Sequence, residues 1–182
     1  MKPIALLSIG LLTIAAVPTC IVAQGAAAPK GVRGDMLAQL DDAAGKIEQL
    51  AGAIPEDKLA WRPAAGVRSV GEVVMHVTGG NYYLPTFAGV KAPADAPQGE
   101  NAANRAAAIA ALKRSFDHVR TAIRNTSDAD LDKPATMFGM QTNYRNVYLT
   151  TVSHAHEHLG QLIAYARANG VTPPWSRAPG SQ

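Results

Sequence analysis

Cysteine is nearly missing from this sequence: Cys20 is the single one in 182 residues. It stands ahead of the part expected to fold, so a disulfide scaffold, a thiolate metal site and a cysteine nucleophile are all excluded. Aromatic residues are scarce at 5%, and with alanine abundant this favours closely packed helices over a β-sandwich. Charge is thin at 17% Asp, Glu, Lys and Arg, and no run of five basic residues occurs. The formal charge of +3 is therefore spread along the chain, and a nucleic-acid footprint is excluded. The longest uncharged apolar run, residues 4–17, falls short of the roughly 20 residues of a transmembrane span. Internal repeats are absent, and low complexity is confined to the alanine-rich residues 23–29.

What is present begins with a targeting pattern. Lys2 precedes the apolar run, and small residues follow around Ala23, the layout of a cleaved secretory signal peptide. The expected organisation is a signal peptide over 1–23, a flexible segment over 24–32, a folded domain over 33–176 and a tail over 177–182. Export to the periplasm or the medium follows, with no stable membrane span after cleavage. Cys20 has two readings, lipidation or removal with the signal. Val17 and Thr19 fit a lipoprotein signal poorly, which favours removal. Loss of Lys2 leaves 16 Lys and Arg against 14 Asp and Glu.

At 47% hydrophobic, the remaining chain can bury a core in one domain. Leu37, Leu40, Ala44, Ile47, Ala51 and Ile54 recur at helical spacing, and Pro55 closes the run. Ser69-Val70-Gly71-Glu72 is a capping box that opens a second helix through Val73, Val74 and Val77. Gly79-Gly80 either ends or bends it. Residues 89–100 form a loop, Asn101 is placed to cap a third helix, and Ile109, Leu112, Phe116, Val119 and Ile123 stripe that helix. Residues 126–142 are irregular. A fourth helix over about 143–169 stops at Asn169-Gly170 before Pro173-Pro174. Four amphipathic helices with no strand pattern predict an all-α four-helix bundle.

Three of the five histidines stand in Ser153-His154-Ala155-His156-Glu157-His158. At 100° per residue, His154 and His158 share a face with Val147, Thr151, Leu162 and Tyr165, whereas His156 points away. Two imidazoles stacked on an apolar face need partners for their ring nitrogens, and a metal ion would take a lone pair from each. Core packing is the competing explanation, and spacing alone leaves the two even. Two ligands do not close a site. His76, beside Val73 and Val77, is the candidate third, or else a core histidine bonded to a backbone carbonyl or to Tyr83. His118 and His156 are expected at the surface or boundary.

His154-x-x-Glu157-His158 also has the form of an inverzincin peptidase motif, with the glutamate as general base. Such sites take a third ligand from further along the chain, and residues 159–182 hold no Asp, Glu or His. That excludes the peptidase and leaves Glu157 as a solvated carboxylate. Glu72, one turn before His76, could be a base or a fourth ligand, but its capping role already explains it.

With these residues placed, the chain resembles the DinB/YfiT-like superfamily of metal-binding four-helix bundles. The resemblance rests on Trp61-Arg62-Pro63, on Ser69 to Val77, and on His154-Ala155-His156-Glu157-His158-Leu159-Gly160-Gln161-Leu162. It continues through Tyr165, Gly170 and Pro173-Pro174-Trp175. Leu159 stands where relatives commonly carry Arg, which removes a cation beside the ligand pair. The resemblance implies an up-down-down-up bundle and one divalent metal ion (Zn, Ni, Fe or Mn) on His76, His154 and His158. It also implies a homodimer, and a small-molecule substrate in a metal-dependent hydrolase or thiol S-transferase. The alternative is a non-catalytic periplasmic binder of metal or small ligands.

Overall fold

Residues 29–177 are described by the computed structural model; the expected signal peptide, Cys20 and residues 178–182 lie outside them. The order is α1 (Gly31–Ala53), α2 (Val70–Tyr83), α3 (Arg105–Asn125), a hairpin of β1 (Pro134–Met137) and β2 (Met140–Asn143), then α4 (Tyr144–Ala168). Four helices dominate, as the periodicity predicts. The antiparallel hairpin is not expected from sequence, because its strands of four residues are too short to show alternation.

Local chemistry sets the helix ends. Ser69 Oγ accepts from Glu72 N at 3.3 Å, and Glu72 Oε2 accepts from Ser69 N at 2.6 Å, so the capping box opens α2 as read. Gly79 and Gly80 lie within α2 without ending it. The expected cap of α3 is corrected: Asn104, not Asn101, accepts from Ala107 N at 2.9 Å. Glu100 is tied to Arg68 and His76, which holds residues 101–104 in the loop. Asn143 caps α4 through Asn146 N at 3.0 Å. At its other end Gly170 takes φ +73, and Val171 N bonds back to Ala166 O at 2.9 Å, a Schellman-type stop.

All six residues of the α1 stripe are buried, from Leu37 to Ile54. Removing each large side chain from water contributes about 1.5–3 kcal/mol before entropy is set against it. In α3 the face sits slightly to one side of the predicted stripe: Ala108 and Ala111 are buried, whereas Ile109 is half-buried. Both α1 and α2 pack against α3 and α4. Arg33 at the start of α1 donates to Thr126 O just past α3 (2.7 Å), and Arg105 at the start of α3 donates to Ile54 O just past α1 (2.9 Å). Asn81 of α2 donates to Ser115 of α3 at 3.0 Å inside the core. None of the described helices is long and apolar enough to cross a membrane.

The loop between α1 and α2 is fastened before the first histidine. Val70 N bonds to Trp61 O and Gly71 N to Leu59 O. Trp61 then stands edge-on to Tyr165 of α4, with centroids 5.3 Å apart. These contacts hold the start of α2 against the last third of α4. They thereby set His76 opposite His154 and His158.

Candidate metal centre

His76 projects from α2, and His154 and His158 project from α4 one turn apart. Val147, Thr151, Leu162 and Tyr165 on the same α4 face are buried as predicted, and His158 is buried with them. The three rings meet, with centroids 5.1 Å apart for His76–His154, 4.7 Å for His76–His158 and 4.5 Å for His154–His158. One ring nitrogen from each lies within 4.8 Å of the other two, so the trio could hold a metal ion.

Hydrogen bonds on the far sides of the rings set which nitrogen faces inward. His76 Nδ1 lies 2.8 Å from Glu100 Oε1. An ionised carboxylate only accepts, so Nδ1 carries the proton and Nε2 keeps its lone pair. For His158 the determinant is a chain. Tyr165 donates its one hydroxyl proton to Arg68 O at 3.2 Å, and so accepts from Gln161 Nε2 at 2.9 Å. Gln161 thereby turns Oε1 to His158 Nδ1 at 2.8 Å, and again Nε2 is left as the lone-pair atom. Carboxylate and amide partners of this kind orient ligating imidazoles in metal sites.

His154 has no such partner. Its Nδ1 is buried and unbonded, and its Nε2 lies 3.2 Å from His76 Nε2. Burial pushes its pKa down to about 4, helped by the repulsion of His158, His76 and Arg68. Burial also lowers His76, against the opposing pull of Glu100. At neutral pH both rings are uncharged, His76 presents its Nε2 lone pair to His154, and the buried Nδ1 of His154 makes no hydrogen bond. A divalent cation fits that donor set, since imidazole nitrogen is a preferred ligand of such ions.

Gly80 makes the room. A β-carbon there would stand 2.5 Å from His154 Cε1 and 2.9 Å from its Nδ1, so only glycine lets the ring lie against α2. Glu100 and Gly80 are the site residues that sequence reasoning misses. Glu100 lies in an aperiodic loop, and Gly80 reads as ending or bending the helix. His76 is bonded to Glu100 rather than to the backbone carbonyl or Tyr83 that a core histidine would use.

The other candidates stay outside. His156 is half-buried and bonds Val152 O from Nδ1 at 3.0 Å. His118 is half-buried against Tyr82, with centroids 5.2 Å apart. Glu157 is exposed. Glu72 is taken up by Ser69 and by Arg62 at 3.1 Å, which, Ser69 first, hold its carboxyl below the usual range.

A cavity of about 450 Å³ opens beside His76 and His154. A second, of about 370 Å³, reaches His154 from the side of Leu149 and Glu157. Leu84 and Phe138 border both.

A family model described as DinB superfamily matches residues 39–162. Among solved structures, a DinB-like protein from Bacillus cereus is 17% identical with a TM-score of 0.69, covering 76% of this chain and 93% of that one. The DinB-like protein YjoA from Bacillus subtilis is 18% identical with a TM-score of 0.62, covering 76% and 93%. YfiT from Bacillus subtilis, described as a probable metal-dependent hydrolase with an unusual four-helix bundle topology, is 15% identical with a TM-score of 0.63, covering 77% and 89%. At these identities the likeness is one of fold. No match is found among curated proteins.

Proposed function

The chain belongs to the DinB superfamily, and from that premise we propose that it binds one divalent metal ion through His76, His154 and His158 and acts as a metal-dependent hydrolase. The observation that carries the reading is the convergence of three ring nitrogens within 4.8 Å beside an open cavity. The description of YfiT as a probable metal-dependent hydrolase supports the choice of hydrolysis over thiol transfer. Zn, Ni, Fe and Mn all suit an imidazole donor set, and the ion taken depends on availability as well as geometry.

When bound, such an ion supplies Lewis-acid activation of water or of a substrate carbonyl. The chain's own residues do the rest. Glu100 and Gln161 hold two rings in the tautomer that presents Nε2, Gly80 admits the third, and Met75 and Leu84 give the adjoining cavity an apolar wall.

A non-catalytic binder is the second reading, and one observation favours it. Glu100, the only carboxylate among the described residues that line the larger cavity, is already engaged by Arg68 and His76, so none of these residues offers a free carboxylate base there. Metal-loaded protein assayed against esters and thiol conjugates separates the two. The hydrolase reading expects ester turnover that disappears in His154→Ala and in metal-free protein. Stoichiometric metal with no turnover would favour the binder.

The same reading takes the helix order as up-down-down-up, supported by Arg33 and Arg105 linking opposite ends of α1 and α3. Export to the periplasm or medium is also proposed, on Lys2 and the apolar run over residues 4–17. A homodimer remains part of the proposal from the family resemblance.

A further inference from the structure

The cavity beside His76 and His154 has walls of one character. Met75, Tyr83, Leu84, Pro97 and Phe138 are among the residues that line it. Among the described residues, its only charged lining group is Glu100. That carboxylate is already bridged by Arg68 Nε at 2.8 and 2.9 Å and by His76 at 2.8 Å. Among the described residues, no lysine or arginine lines the cavity, so none of them would compensate a phosphate or carboxylate tail brought out of water.

The aromatic side of the wall is built at a conformational cost. Phe138 and Gly139 form a two-residue hairpin turn, closed by the Met137–Met140 pair, with φ of +53 and +80. Turns of this type need positive φ at both positions and favour Asn-Gly or Asp-Gly. Phenylalanine is an unfavourable occupant, and strained backbone tends to persist where a side chain is needed in one place. Here the turn carries the Phe138 ring to the cavity mouth, 5.1 Å from Phe87 and 6.4 Å from Tyr83 between centroids. Phe138 and Tyr83 remain 58% and 55% exposed, so both rings are accessible to a ligand.

We propose that this cavity binds a small molecule with an uncharged, ring-bearing apolar body and a metal-binding head, Phe138 and Tyr83 stacking on the body while the head reaches His76 and His154. A volume near 450 Å³ lies within the range of ordinary small-ligand pockets. Bulky co-substrates bearing several charged groups are disfavoured by the same walls. This inference rests on the metal reading above and adds the substrate class to it.

The test compares benzohydroxamate with acetohydroxamate, two probes with the same chelating head, on zinc-loaded full-length protein by calorimetry. Metal content is measured before and after titration. Benzohydroxamate should bind about tenfold tighter or more, the scale on which a hydrophobic pocket discriminates added apolar groups. Phe138→Asn, which suits the turn, should erase most of that preference while leaving acetohydroxamate affinity unchanged. Tyr83→Ser should do the same without touching the hairpin. Protein that holds zinc but binds both probes equally would overturn the apolar-body inference and leave the metal reading standing. Protein that holds no zinc would overturn both, and the metal analysis would show it before any probe is added.

Discussion

The imidazole of His154 rests against the α-carbon of Gly80, so closely that a β-carbon at position 80 would come within 2.5 Å of Cε1. The contact spans two helices and fixes the one ring of the trio that has no hydrogen-bonded partner at Nδ1.

Gly80→Ala should therefore act in two directions. Alanine is favoured over glycine inside a helix by about 0.8–1.0 kcal/mol, so the metal-free fold should not suffer on propensity grounds. The displaced His154 ring should weaken metal binding by about tenfold or more, a factor of ten per 1.4 kcal/mol of misplacement. Competition with a chromophoric chelator measures the affinity. Wild-type affinity in Gly80→Ala would contradict the placement of His154.

Glu100→Ala should lower metal affinity by about 10–100-fold, the usual effect of removing a carboxylate that orients a ligating imidazole. Glu100 is partly exposed and lies in a loop, so circular dichroism and the thermal midpoint should change little. A large loss of stability with unchanged affinity would make Glu100 a structural fastener instead.

His118 gives a prediction about pH. Burial lowers its pKa from the ordinary 6.5, so as pH falls the unfolded chain takes up the proton first. The stability tied to neutral His118 is complete above about pH 6.5 and is lost as pH drops towards the lower folded-state value. Its Nε2 is buried without a partner, so His118→Phe should fold well against Tyr82. The thermal midpoint of that variant should fall less between pH 7 and pH 5 than that of wild type in the same metal state. Parallel curves would show that His118 contributes no acid sensitivity.

The helices were legible because each buries a stripe at helical spacing, and α1 and α4 buried the residues their periodicity marks. His154 and His158 were legible from the same rule, since their phase on α4 is that of Val147, Thr151 and Leu162. His76 was not fixed by spacing; the family resemblance pointed to it, and the structure brings its ring to the other two. Glu100 and Phe138 were illegible for a shared reason. Neither sits in a segment with a readable period: Glu100 lies in a loop tied to Arg68 and His76, and Phe138 lies in the turn of a hairpin whose strands have four residues each. Gly80 stays ambiguous in the sequence because a glycine pair has the same local signature whether it ends a helix, bends it or clears space for a neighbour.

The most direct measurement is the metal content of full-length protein after loading with zinc and extensive dialysis, beside His76→Ala, His154→Ala and His158→Ala. One equivalent in wild type, and well below one in each variant with the helical circular dichroism retained, is the predicted result. A wild-type chain that holds no stoichiometric metal, or variants that hold as much as wild type, would contradict the three-histidine centre.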